Sequence, residues 1–120
     1  MTQRPARARR TVLSVPGSSD RFLTRSVDLD VDQVLLDLED GVAPSAKEPA
    51  RAAVVASLRG RQWRAPTVSV RVNGWASPWT HRDVIDVVSG AGAHLHSVVL
   101  PKVASAGQVE ALDLLLTQLE

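Results

Sequence analysis

Four short runs rich in β-branched and aliphatic residues recur along the chain: Thr11-Val12-Leu13-Ser14-Val15, Gln33-Val34-Leu35-Leu36-Asp37-Leu38, Thr67-Val68-Ser69-Val70-Arg71-Val72 and Ser97-Val98-Val99-Leu100. Stretches of helical pattern separate them, and that alternation predicts βα units around a parallel sheet. Helix-start signals lie where they are needed. Ser45 with Glu48 and Ser105 with Gln108 have capping-box spacing, and Ser77 before Pro78 suits an N-cap with proline at the first helical position. The third helix is expected to run on to about Ser89, with Gly90 and Gly92 ending it. In the last helix Val109, Leu112, Leu115, Leu116 and Leu119 form one broad apolar face.

Four βα units are half of an eight-unit barrel. A complete barrel takes about 250 residues, so this chain of 120 residues is either the first half of a TIM-type barrel or an open sheet of flavodoxin type. Its expected organisation is a basic N-terminal arm over residues 1–10, carrying Arg4, Arg7, Arg9 and Arg10, followed by one partial-barrel domain over residues 11–120.

With 44% hydrophobic and 22% charged residues and a formal net charge of +1, the composition is that of a globular protein and selects neither a nucleic acid nor a membrane as partner. The absence of cysteine removes disulfides, thiolate metal sites and a cysteine nucleophile, and fits a reducing cytoplasm. Val12 to Val15 is too short an apolar run for a signal peptide or a membrane span.

The third run separates the two fold alternatives. Val68, Val70 and Val72 share one parity while Ser69, Arg71 and Asn73 share the other, so period two sends the valines to one face and the polar set to the opposite one. A doubly wound sheet is covered on both faces and leaves little room for an arginine inside a strand. In a barrel the valines would meet the helices, and Arg71 and Asn73 would point into the C-terminal mouth. Asp37 and Glu39 share parity in the second run, and the fourth ends in Leu100-Pro101-Lys102. The expected site is therefore Asp37, Glu39 and Asp40 facing Arg71, Asn73 and Lys102 at the strand C-termini, where barrel active sites lie. A structural ion-pair network is the plainer explanation of the same charges.

The stretch Leu36-Asp37-Leu38-Glu39-Asp40-Gly41-Val42-Ala43-Pro44, followed by Lys47 and Arg51, resembles the second-strand signature of the citrate lyase β-subunit-like family, within the HpcH/HpaI aldolase and citrate lyase superfamily. Arg9 to Gly17 resembles its opening strand, Arg71-Val72-Asn73 its third and Leu100-Pro101-Lys102-Val103 its fourth, in the family's order. The resemblance implies a TIM-type barrel that uses magnesium and cleaves a carbon–carbon bond beside a thioester carbonyl, with citryl, malyl or citramalyl thioesters of coenzyme A or a carrier protein as substrates. It further implies that Arg71 contacts substrate oxygens, that Glu39 and Asp40 lie beside the metal's waters, and that the protein forms homo-oligomers. Asp37, Asn73 and Lys102 are expected to complete the substrate-binding mouth.

The chemistry suits these residue types. Retro-aldol or retro-Claisen cleavage leaves an enolate, which a fixed cation stabilises. Magnesium keeps several waters that nearby carboxylates can orient, and a guanidinium fork matches a carboxylate or carbonyl. Two departures stand out. Ala104 occupies a position where the family often has glutamate, and the family's direct metal carboxylates come from strands after the fourth, so no direct metal ligand is expected in this chain. The non-catalytic alternative is a truncated half-barrel that binds a partner or itself to cover its open sheet edges.

Rival sites are weaker. Asp28, Asp30, Asp32 and Glu39 mimic calcium-loop spacing, but Gln33 stands where the loop needs glycine. His81, His94 and His96 are expected at the surface. Trp63 is expected to cover the core edge, while Trp75 and Trp79 follow strand three near the mouth. A receiver-like open sheet with an acidic pocket at Asp37 or Asp40 is opposed by Arg71 inside strand three.

Overall fold

A computed structural model describes residues 6–120, so Arg4 and the first half of the basic arm lie outside the described residues. Four strands, β1 (Val12–Pro16), β2 (Gln33–Asp37), β3 (Thr67–Arg71) and β4 (Ser97–Val99), alternate with helices α1 (Asp20–Ser26), α2 (Lys47–Gly60), α3 (Thr80–Ala91) and α4 (Ala106–Leu119). All pairings are parallel and the spatial order is β1-β2-β3-β4. A flavodoxin-type sheet reverses direction after its first crossover. Here each unit steps the same way, which removes the open-sheet alternative and builds the arc of a barrel.

Register explains the division of faces. Val34, Leu36, Val68, Val70 and Val72 are at most 4% exposed and belong to one core with Val54 and Leu58 of α2 and Val84 and Val87 of α3. Alternate residues face the other way. There the Gln33 amide donates to Ser69 Oγ at 2.9 Å, and Ser69 Oγ lies 2.6 Å from Ser97 Oγ, its register partner. These bonds allow polar side chains to be buried on the concave face of the sheet. Gly17 closes the end of β1 against α2, since a Cβ there would lie 2.7 Å from the Val54 side chain.

Helix starts depart from the sequence reading. Pro44–Ala46 form a 3-10 turn, so Ala46 rather than Ser45 precedes α2, and no side chain caps it. Ser105 precedes α4 without capping it; instead Gln108 Oε1 accepts the Ala104 N–H at 2.9 Å. Ser77 accepts the Trp79 N–H at 3.3 Å and α3 begins at Thr80, beyond the expected proline start. It passes through Gly90 to Ala91 before a 3-10 turn over Gly92–His94. Of the apolar stripe on α4 only Leu112 is buried, while Leu115, Leu116 and Leu119 are partly buried against the core and Val109 stays 51% exposed. No helix among the described residues is long and apolar enough to cross a membrane.

Candidate active site at the strand ends

The last residue of β2, Asp37, and the last of β3, Arg71, are register partners. Parallel pairing puts their side chains on the same face, and the guanidinium meets the carboxylate through Nε at 2.8 Å and Nη2 at 2.9 Å. Asp37 also accepts the N–H groups of Glu39 at 2.9 Å and Gly41 at 2.8 Å. Burial pushes the Asp37 carboxyl up, but those four donors and the Arg71 charge outweigh it and hold the group below the ordinary carboxylate value. Arg71 is correspondingly raised, chiefly by its bond to Asp37.

The turn after β2 carries the acid pair. Glu39 is buried and Asp40 is exposed. Lys102, just after β4, reaches back across the mouth, pairing with the Glu39 carboxylate and with Asp40 at 3.0 Å. Arg71 Nε lies 3.6 Å from the other Glu39 oxygen. The hydrogen bond from Lys102 lowers the Asp40 carboxyl, and the bonds to Glu39 and Asp40 raise the Lys102 ammonium. Lys102 reaches this place with φ at 51°, a left-handed conformation that is unfavourable for a side-chain-bearing residue.

Five of the six residues expected at the mouth are thus brought together from β2, β3 and β4. Asn73 is not. Its side chain donates at 2.6 Å to Asp83 of α3, and its backbone N–H reaches the same oxygen at 3.0 Å, which turns it to the helix layer. It lies two residues past the end of β3, where strand periodicity no longer governs side-chain direction. Asp37 is present, yet at 1% exposure its oxygens are taken up by the four donors, so it organises Arg71 and the turn rather than facing a ligand.

Trp75 donates to the Gln108 carbonyl at 2.9 Å, and Trp63 to Ser26 Oγ at 3.0 Å. His81, His94 and His96 are all exposed, as expected, and the His96 ring accepts the Val68 N–H at 3.0 Å. In the calcium-like stretch, Asp32 accepts instead from the Arg10 side chain and the backbone of Arg10 and Thr11.

Residues with no role assigned from sequence hold the loops in place. Lys47 donates to the carbonyls of Leu38 and Glu39, and Arg51 pairs with Asp83 at 2.9 Å. One signal pointed to Lys47: a cation in the first turn of a helix sits against the positive end of the macrodipole and needs another reason to be there.

Magnesium prefers oxygen ligands. Among the described residues no three His, Cys, Asp or Glu side chains cluster to hold a metal directly. Glu39 and Asp40, already engaged by Lys102, fit hydrogen bonding to the waters of a hydrated ion.

The family model described as HpcH/HpaI aldolase/citrate lyase matches residues 10–120. An L-malyl-CoA/β-methylmalyl-CoA lyase of Cereibacter sphaeroides is 40% identical over 116 residues, covering 97% of this chain and 36% of the relative. The chain therefore spans little more than a third of that relative's length. The structure of CitE from Mycobacterium tuberculosis, in complex with magnesium, acetoacetate and coenzyme A, is 31% identical with a TM-score of 0.60, over 84% of this chain and 35% of that one. A Haloferax volcanii malate synthase magnesium/glyoxylate complex has a TM-score of 0.79 at 22% identity, over 91% of this chain and 37% of its own, and supports the fold alone. The four strand-end motifs, the parallel first half of a TIM-type barrel and the match through residues 10–120 together show that this chain belongs to the HpcH/HpaI aldolase/citrate lyase family.

Proposed function

We propose that the protein serves a magnesium-dependent carbon–carbon lyase reaction, retro-aldol or retro-Claisen, on a hydroxyacyl thioester such as malyl-, citramalyl- or citryl-coenzyme A. The observation that carries this reading is Arg71, fixed at the mouth by Asp37 beside the acid pair. Asp37 engages two of the five N–H donors of a guanidinium. Nη1 has no partner among the described residues and is the edge we assign to substrate oxygens.

A preorganised cation beside a developing enolate oxygen stabilises the transition state without reorganising at the moment of reaction. Asp37 supplies that preorganisation by keeping the Arg71 fork in one orientation. Lys102 adds a second positive charge to the rim and balances the acid pair. We assign Glu39 and Asp40 to accepting hydrogen bonds from the waters of a hydrated magnesium ion. The ion would supply further positive charge to the thioester enolate. The cysteine-free sequence fits a cytoplasmic setting, and a homo-oligomer is the assembly we propose.

A second reading rests on the sheet edges. Among the described residues β1 and β4 each pair on one side only, and Val12, Phe22 and Leu29 near one edge and Leu114 on α4 are 43–67% exposed. Unpaired edges favour association. On this reading the chain is a non-catalytic half-barrel that binds a partner or itself.

One assay separates the two. Purified chain is incubated with magnesium and malyl- or citramalyl-coenzyme A, with Arg71→Ala and chelator as controls. Cleavage lost in both controls supports the lyase reading. A folded chain that cleaves neither thioester while associating in light scattering supports the half-barrel reading and sinks activity of this chain by itself.

A further inference from the structure

Helix α2 carries two buried cations one turn apart, Lys47 and Arg51. Residues at this spacing share a helix face. The Lys47 ammonium donates to the carbonyls of Leu38 at 3.0 Å and Glu39 at 2.8 Å, and lies 5.1 Å from the centre of the Trp79 ring. No carboxylate forms an ion pair with it among the described residues.

Burying an ammonium without a counter-charge is unfavourable, and its place at a helix N-terminus adds to that. Methionine would fill similar space with neither penalty. What the ammonium adds is two successive carbonyls drawn to one point. The opposite side of the same turn is held by Asp37, through the N–H groups of Glu39 and Gly41. Residues 38–41 are therefore gripped by their carbonyls from the helix and by their amides from the strand, and Glu39 and Asp40 project from between the two grips.

Arg51 acts on the neighbouring loop. Its Nε pairs with one oxygen of Asp83 at 2.9 Å, and the other oxygen holds the backbone and side chain of Asn73. One face of α2 thus reaches the ends of both β2 and β3.

We propose that Lys47 is a positioning residue, which through the Leu38 and Glu39 carbonyls sets where Glu39 and Asp40 stand relative to Arg71 and Lys102. Its value to catalysis rests on the lyase reading above; the clamp itself does not. Arg51 and Asp83 steady the end of β3 in the same way.

The test is amide hydrogen exchange by NMR on the 120-residue chain, its Lys47→Met variant and its Lys47→Arg variant. In Lys47→Met the amides of Glu39, Gly41 and Val42 are expected to exchange about tenfold faster or more, while Leu36 and Val70 keep wild-type protection. Lys47→Arg, with two donors for the two carbonyls, is expected to restore most of the loss. A purely structural residue would move all amides together, so a uniform loss, or no change at the turn, overturns the proposal. Should Lys47→Met fail to fold, the wild-type ammonium decides. Slowly exchanging Nζ protons coupled to the carbonyl carbons of Leu38 and Glu39 support the clamp, and free exchange with water overturns it.

Thioester cleavage on the same samples separates this inference from the lyase reading. Where wild type cleaves, Lys47→Met is expected to lose about tenfold in kcat with KM little changed, as for a lost transition-state contact; unchanged kcat overturns the positioning role. The expected exchange pattern in a wild-type chain that cleaves nothing leaves the clamp standing and the lyase reading fallen.

Discussion

Asp37 and Arg71 end adjacent parallel strands as register partners and are joined by two hydrogen bonds, at 2.8 and 2.9 Å. Removing the buried partner of such a pair leaves the other charge uncompensated. Because the Arg71 side chain is 28% exposed, part of that penalty is screened. Asp37→Asn is expected to cost about 3 kcal/mol in urea unfolding. The sign with pH follows from the depressed carboxyl. The Asp37 contribution is fully present above the ordinary value of 3.8 and is lost as pH falls through the lower folded value. Wild type should therefore lose stability below about pH 4 more steeply than Asp37→Asn. Parallel slopes in acid unfolding curves would contradict this.

Gly41 lies beneath the same carboxylate. A Cβ built there would stand 2.6 Å from Asp37 Oδ2, whereas one at Gly60, at the end of α2, meets nothing within 4 Å. Gly41→Ala is expected to destabilise by about 2 kcal/mol through overpacking. Gly60→Ala should be neutral or add up to about 1 kcal/mol, since alanine is the better helix former. Thermal melts of the two variants check the ordering.

Lys102 combines a left-handed backbone with two acidic partners. Glycine would relieve the backbone and alanine would not, while both remove the ammonium. Lys102→Gly is accordingly expected to be more stable than Lys102→Ala by about 1 kcal/mol. Equal denaturation midpoints would show that the conformation carries no strain.

Arg71→Lys keeps the charge and loses the planar fork. A lysine can meet Asp37 at one point only, so the cation is no longer held in one orientation. If Arg71 stabilises a developing enolate as proposed, thioester cleavage should fall about 100-fold or more, with thermal stability changed far less than by Asp37→Asn. Cleavage within a few-fold of wild type would remove Arg71 from the reaction.

The sequence made the scaffold legible because strand periodicity is a local property. The four runs became strands within a residue or two of their expected limits, and parity brought Asp37 to Arg71. Parity failed at Asn73, where the strand had already ended and a hydrogen bond to α3 set the direction instead. Ser45 had the right spacing for a capping box, but proline at 44 starts a 3-10 turn ahead of the helix and makes Ala46 its preceding residue. The loop-holding cations were the least legible. Lys47 and Arg51 stood in the sequence only as part of the second-strand signature, with no partner to read from it, and only the folded chain shows what they reach: two carbonyls from the end of β2, and an aspartate thirty-two residues away.

That aspartate, Asp83, had no marking in the sequence beyond its place on a helix. It is fully buried and accepts Arg51 Nε at 2.9 Å, the Asn73 N–H at 3.0 Å and the Asn73 side chain at 2.6 Å. Its partner Arg51 has a side chain only 9% exposed, and its second contact, Asp86, is a longer one at 3.7 Å. Asp83→Ala would leave a buried guanidinium and a buried amide without their acceptor, and breaking such a pair costs about 3–5 kcal/mol. Asp83→Asn keeps the shape and one acceptor oxygen, so its loss should be smaller by about 1–2 kcal/mol. Urea unfolding measures both. Because Asp83 holds the residue two places beyond Arg71, the Asp83→Asn chain should also show faster amide exchange at Asn73 while Gly41, held by Asp37, stays protected. Faster exchange at both positions would mean that the two strand ends open as one unit rather than being steadied separately by α2.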